Sequence, residues 1–151
     1  MKYVIFDLDG TIALNDHRQH FLKQEPPNWD EFFLASKNDK PNEPVITMML
    51  ALATMFQHGR YPDEALIYIF SGRSDIAEDI TREWLSRYGV PYDSLKMRKD
   101  GDYTPDDQLK KQWLNKLGVE NILFCVDDRQ KVVDMWRNQG LTVFQVAPGN
   151  F

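Results

Sequence analysis

Four short apolar runs constrain what this chain can fold into: Tyr3-Val4-Ile5-Phe6, Ala65-Leu66-Ile67-Tyr68-Ile69-Phe70, Ile122-Leu123-Phe124-Cys125-Val126 and Thr142-Val143-Phe144-Gln145-Val146. They are β-branched or aromatic and lack polar alternation, the pattern of strands buried on both faces of a parallel sheet. Leu95-Lys96-Met97-Arg98 is a weaker strand candidate, expected near an edge. Helical patterns fill the intervals. Pro44 suits a first helical position, and an apolar stretch over 45–58 runs until Gly59. Ser74 or Asp75 is expected to cap a helix that ends at Tyr88-Gly89. Thr104, Pro105 and Asp106-Asp107 read as cap, proline start and acidic first turn of a helix closed by Gly118. A last helix is expected over about 129–139. Strand and helix alternate throughout, which gives an α/β class with a mostly parallel central sheet flanked by helices.

Residues 12–43 break this rhythm. They are polar, carry prolines and are dotted with aromatics; a loop this long in a compact domain is usually functional or partly helical, and 29–36 is expected to form a short helix. The 151 residues suit one domain, 1–151, with 12–43 as a small insertion after the first strand.

Composition removes several classes of function. A chain that is 42% hydrophobic and 27% charged is globular rather than disordered. The net charge of −5 argues against a surface that grips nucleic acid all over, so any such contact must be local. The single cysteine, Cys125, excludes a disulfide framework and a Cys-based zinc site. The first strand meets Asp7 too early for a signal peptide, and no apolar run approaches the roughly 20 residues of a membrane span. The expectation is a cytoplasmic protein with no membrane partner.

Open α/β sheets bind ligands beyond the carboxyl ends of their strands. The first strand here ends in Asp7-Leu8-Asp9-Gly10-Thr11, the second in Ser71-Gly72-Arg73, the fourth in Asp127-Asp128-Arg129. Carboxylates gathered that closely repel unless a cation sits among them, and an all-oxygen set suits Mg²⁺. With Asp106 added, these five acids equal the whole formal excess of −5. Helix capping alone is the bland reading of such residues; four acids at one rim with Ser71 and Lys110 favour catalysis. For Asp106 and Asp107, helix-dipole stabilisation of about 0.3–1 kcal/mol is a sufficient alternative. Phe21, Trp29, Phe32 and Phe33 either stack on bases or, more commonly, pack the insertion onto the core. His17, His20 and His58 are expected to face solvent, and Cys125 to be an inert core residue.

The strand-terminal Asp7-x-Asp9-Gly10-Thr11, Ser71, Lys110 and Asp127-Asp128, in that order along the chain, resemble the four motifs of haloacid dehalogenase (HAD) phosphatases. Arg18, Ser71-Gly72-Arg73, Met97-Arg98, Gly101-Asp102, Asp106-Asp107, Lys110 and the block from Val126 through Arg137 are together similar to the 3′-phosphatase domain of bacteriophage polynucleotide kinase-phosphatases. The resemblance covers nearly all the chain and is weakest over 19–43. It implies a HAD-type Rossmann-like fold with 12–43 as a small cap.

It also implies roles. Asp7 would be the nucleophile, forming an aspartyl-phosphate, and Asp9 the general acid and base. Mg²⁺ would be held by Asp7, Asp9 through its carbonyl, and Asp128, with Asp127 behind them. Ser71, at a helix N-terminus, with Gly72 and Thr11, would meet the phosphoryl oxygens; Lys110 would sit between Asp7 and the phosphate, steadied by Asp106. Arg18 and Arg73 would contact phosphate. The open rim implied by so small a cap would admit 3′-phosphorylated DNA or RNA ends, with Arg98, Lys99, Lys111 and Arg129 supplying local positive charge. No GxxxxGK[ST] loop occurs in these residues, so a polynucleotide kinase would be a separate or fused partner. Two other readings stay open: the same chemistry on mononucleotides or other small phosphate esters, and a phosphoacceptor receiver domain. A receiver carries its phosphorylated Asp on a later strand; here the third strand ends in Met97-Arg98. A catalytically dead end-binder is disfavoured, because every catalytic residue type is present.

Overall fold

The computed structural model describes residues 1–151. Its centre is a five-stranded, wholly parallel sheet in the order β5-β4-β1-β6-β7, built from β1 (Lys2–Phe6), β4 (Ala65–Ser74), β5 (Ser94–Arg98), β6 (Ile122–Asp127) and β7 (Val143–Gln145). Every run read as a strand is one, and the weaker β5 candidate lies at an edge. Because successive side chains of a strand point to opposite faces, β1 sends Val4 and Phe6 one way and Ile5 the other. Val4 and Phe6 pack with Val45, Ile46 and Met49 of α2 (Glu43–Gln57) and with Trp84 and Leu85 of α3 (Glu78–Arg87). Ile5 packs with Leu109, Trp113 and Leu114 of α4 (Asp106–Leu117) and with Val132, Val133 and Trp136 of α5 (Gln130–Asn138). Two helices therefore cover each face, the three-layer solution for a sheet with no solvent-exposed side.

Chain order explains where a site can form. From β1 the chain winds outward through β4 to β5, then returns to place β6 and β7 on the other side of β1. The reversal lies between β1 and β6, whose ends are paired at Phe6 and Val126. The next residues are Asp7 and Asp127-Asp128, at the crevice that such a switch point opens.

The insertion is folded. A two-residue antiparallel ribbon, β2 (Ala13–Leu14) with β3 (Lys40–Pro41), closes its neck. Between them lie a 3₁₀ segment (Asp16–Lys23), the short helix α1 (Trp29–Leu34) and a second 3₁₀ turn (Ala35–Asn38). Two local expectations are corrected. α4 has no side-chain cap: the Thr104 hydroxyl donates instead to Asp102 Oδ1 at 2.7 Å, and Pro105 precedes the first turn. β4 continues past Phe70 through Ser71-Gly72-Arg73-Ser74, with a register shift there, so Ser71 lies in strand rather than at a helix N-terminus. No helix is long and apolar enough to cross a membrane.

Candidate active site

Asp7 leaves β1 as its last ladder bond forms, its N–H donating to Val126 O at 2.9 Å. Its two carboxylate oxygens have separate partners. Lys110 Nζ donates to Oδ1 at 2.7 Å, and Thr11 Oγ1 to Oδ2 at 3.0 Å. Thr11 can face back because Gly10 turns the chain at φ +82, a region that L side chains avoid. A Cβ on Gly10 would also run into the Asp128 carboxylate, so the turn is packed directly against it. Asp127 is tied down by the N–H groups of Asp128 (2.9 Å) and Arg129 (3.3 Å) on Oδ1, and by Lys110 (3.1 Å) and the Trp136 indole (3.4 Å) on Oδ2.

Asp7, Asp127 and Asp128 each offer an oxygen within 4.8 Å of the others. Burial pushes the Asp7 carboxyl well above its usual range, Asp127 adds to this, and the Lys110 ammonium opposes it. Asp128 is raised by burial and by Asp127. Burial would lower Lys110, but Asp106, Asp127 and Asp7 outweigh it and hold its ammonium well above the ordinary value. One ammonium among so many acids leaves the cluster net negative. An all-oxygen, charge-deficient set of this kind fits a hard divalent cation.

Asp9 faces a different environment. Arg73 donates to it from Nε (3.3 Å, Oδ2) and Nη2 (2.5 Å, Oδ1), and Arg18 donates from Nη2 (2.5 Å, Oδ1). Burial favours the neutral acid, yet Arg73 and Arg18 override it and hold the Asp9 carboxyl at about 2, against an ordinary 3.8. Both arginines, expected to face substrate phosphate, thus turn onto Asp9. A second carboxylate, Asp39, shares them. Arg18 has no exposed surface, and also donates to Phe32 O at 3.1 Å.

The remaining residues close the rim. Ser71 is buried, and its hydroxyl accepts from the Arg73 N–H at 3.1 Å. Gly72 lies so close to Asp106 that a Cβ there would strike the carboxylate. Asp106 Oδ2 is 3.7 Å from Lys110 Nζ, one helical turn on, and 3.8 Å from Arg129 Nη1. Arg98 is spent on the protein itself, donating to the carbonyls of Gly72, Asp102 and Thr104. Asp7 and Asp9 line a cleft of about 540 Å³, together with Trp29 and Phe33 of α1 and residues 98–106.

The chain matches, over residues 1–151, the family described as the polynucleotide kinase PNKP phosphatase domain. It belongs to that family. An Autographa californica nuclear polyhedrosis virus protein, named as a candidate bifunctional polynucleotide kinase/RNA ligase, is 33% identical over 150 residues, covering 97% of this chain and 19% of its own length. A chain in the structure of the Pnkp1/Rnl/Hen1 RNA repair complex superposes with a TM-score of 0.78 at 31% identity, over 99% of this chain and 43% of that one. The chain therefore spans about a fifth to under a half of these relatives. A haloacid dehalogenase-like hydrolase from Streptococcus pneumoniae (TM-score 0.62, 12% identity, 96% of this chain and 84% of that one) shares the fold. The PNKP phosphatase-domain family is a HAD phosphatase family, which sets aside the receiver reading.

Among the residues expected at this PNKP-type site, Asp7, Thr11, Lys110, Asp127 and Asp128 form one cluster. Asp9, Arg18 and Arg73 form a second, and Ser71, Gly72 and Asp106 bound the first. Sequence reasoning missed Asp39, which lies within the weakest part of the resemblance and belongs to no motif. His17 is exposed, as expected, and its Nε2 lies 2.7 Å from Asp39 Oδ1.

Proposed function

We propose that this chain is a Mg²⁺-dependent phosphomonoesterase that removes 3′-phosphate from DNA or RNA ends through an aspartyl-phosphate on Asp7. The observation that carries this reading is the fixing of both Asp7 oxygens, by Lys110 and Thr11, at the base of an open cleft. A nucleophile held this way attacks phosphorus in line without searching for its geometry. The Lys110 ammonium favours its ionised form against the burial that opposes ionisation, and reduces its repulsion with the phosphate. Asp7, Asp128 and the Asp9 carbonyl would hold Mg²⁺, with Asp127 behind them, and the ion when bound neutralises charge that one lysine cannot.

As the phosphorus–O3′ bond breaks, Asp9 gives its proton to the leaving oxygen. Water then attacks the phosphorus of the aspartyl-phosphate, Asp9 takes the water's proton, and phosphate leaves with Asp7 regenerated. The resting Asp9 is ionised; a phosphate dianion beside it raises its proton affinity, so it takes up from solvent the proton that it gives to O3′, and it returns the water's proton to solvent once phosphate has left. Ser71, Gly72 and the turn at Gly10-Thr11 supply polar atoms for the phosphoryl oxygens, and Asp106 steadies Lys110.

The polynucleotide assignment rests on family membership and on the aromatic side chains that line the cleft. The relatives' names join a kinase, a ligase and RNA repair, which supports a kinase or ligase, fused or separate, working on the same ends. The test is kcat/KM for a 3′-phosphorylated oligonucleotide against a 3′-mononucleotide, with and without Mg²⁺. A Mg²⁺-dependent preference for the oligonucleotide is expected. Equal values, or the reverse preference, would place the substrate among small phosphate esters.

A further inference from the structure

A closed ring of alternating charge lies where the insertion meets the sheet. Arg18 Nη2 touches Asp9 Oδ1 at 2.5 Å and Asp39 Oδ2 at 2.8 Å. Arg73 Nη2 touches the same two oxygens at 2.5 and 3.5 Å. Arg18 Nε adds a 2.8 Å bond to Asp39 Oδ1, so the Arg18–Asp39 pair is bidentate and its plane is fixed. Arg73 Nη1 is anchored on Thr81 Oγ1 at 2.8 Å.

Asp39 is itself held from the core. Its carbonyl accepts from the indole of the buried Trp84 at 2.9 Å, and its N–H donates to Ser36 O at 3.0 Å. The residue's place thus depends on α3 and on the 3₁₀ turn that precedes it. Two buried guanidiniums leaning on Asp9 alone would leave a positive charge uncompensated, an expensive state away from water. Asp39 supplies the second negative charge and divides the arginines between two carboxylates. Its side chain has no exposed surface, so it acts on a substrate only through its neighbours.

We propose that Asp39 is a positioning residue for the reaction: it fixes the planes from which Arg18 and Arg73 orient Asp9, and so sets where Asp9 delivers its proton. This rests on the reading of Asp9 as the acid–base group. The leaving group separates positioning from simple support. A 3′-alkoxide needs a proton to depart, whereas p-nitrophenolate departs without one. Loss of the Asp9 geometry must therefore fall mainly on the nucleic-acid substrate, while a merely structural defect lowers both rates alike.

The experiment compares kcat/KM for a 3′-phosphorylated oligonucleotide and for p-nitrophenyl phosphate in Asp9→Asn, Asp39→Asn and Asp39→Glu, each checked for folding by thermal unfolding. Asp9→Asn is expected to lose far more on the oligonucleotide than on the aryl ester. Asp39→Asn should show the same selectivity, with a loss of about 10–100-fold on the oligonucleotide. Asp39→Glu keeps the charge but shifts the carboxylate by a methylene, and should show selective loss as well, which keeps the test alive if the neutral variant does not fold. Equal losses on both substrates, or none, in the folded Asp39 variants while Asp9→Asn stays selective would overturn the positioning role. An Asp9→Asn variant that loses equally on both would instead overturn the acid–base reading, and this inference with it.

Discussion

Lys110 sets its ammonium 2.7 Å from Asp7 Oδ1 and shares it with Asp127, so one buried cation serves two acids that would otherwise repel. Of the influences on Asp7, Lys110 lowers its proton affinity while burial and Asp127 raise it. Replacing it with an apolar side chain removes the only opposing charge. Lys110→Met should therefore lower kcat/KM by about 10²–10³-fold at neutral pH, the size seen for loss of one preorganised charge-stabilising group. It should also move the acidic limb of the pH–rate profile upward, because more alkali is then needed to ionise Asp7. A profile of unchanged shape would separate Lys110 from the nucleophile.

Gly10 carries two demands at once, φ +82 and a carboxylate where a Cβ would stand. Gly10→Ala should push the Asp128 side chain aside and strain the turn that brings Thr11 to Asp7. The expected result is a weaker apparent affinity for Mg²⁺, by about 10–100-fold, read from activity against Mg²⁺ concentration and from the thermal shift the ion produces. Wild type at about 100 times the dissociation constant should gain about 2.7 kcal/mol from the ion, and Asp128→Asn should gain little.

Stability should depend on pH in two opposed ways. Asp9 is held at about 2, below the ordinary 3.8, so its contribution is present above pH 4 and is lost as pH falls through about 2. That contribution is about 2 kcal/mol. Asp7 and Asp128 are raised, so each takes up a proton on folding, and stability falls as pH climbs through their folded values. Without Mg²⁺ the protein should be most stable in mild acid. Asp9→Asn should flatten the loss between pH 4 and 2, and Asp7→Asn should relieve the penalty at neutral pH while abolishing turnover. Chemical unfolding across that pH range checks both signs.

The sheet and the Asp7 cluster were legible because their signals are local. An unalternating apolar run states burial on both faces, and a carboxylate at such a run's end states where it emerges. Asp127-Asp128 follows Val126 as directly as Asp7 follows Phe6. Asp39 was not legible, since its meaning lies in Arg18 and Arg73, 21 and 34 residues away, and in an indole that reaches its carbonyl. The same reason hid the fate of Arg98. An arginine near an acidic rim reads as local positive charge for a polynucleotide until the carbonyls of Gly72, Asp102 and Thr104 are seen to bond it.

Trp29 is 51% exposed at the wall of the cleft that contains Asp7 and Asp9. Phe33 lies roughly parallel to it at 5.8 Å, and Phe32 meets it edge-on at 5.8 Å, so its ring is braced by two aromatics while much of its surface stays in water. A braced indole with that much exposed surface suits stacking by a nucleobase, worth about 1–3 kcal/mol per base. A substrate with no base cannot use it. Trp29→Ala should therefore raise KM for a 3′-phosphorylated oligonucleotide by about tenfold, near 1.4 kcal/mol, while leaving hydrolysis of p-nitrophenyl phosphate unchanged. Steady-state kinetics on the two substrates reads this directly. An equal effect on both would mean that the indole packs the insertion rather than the substrate.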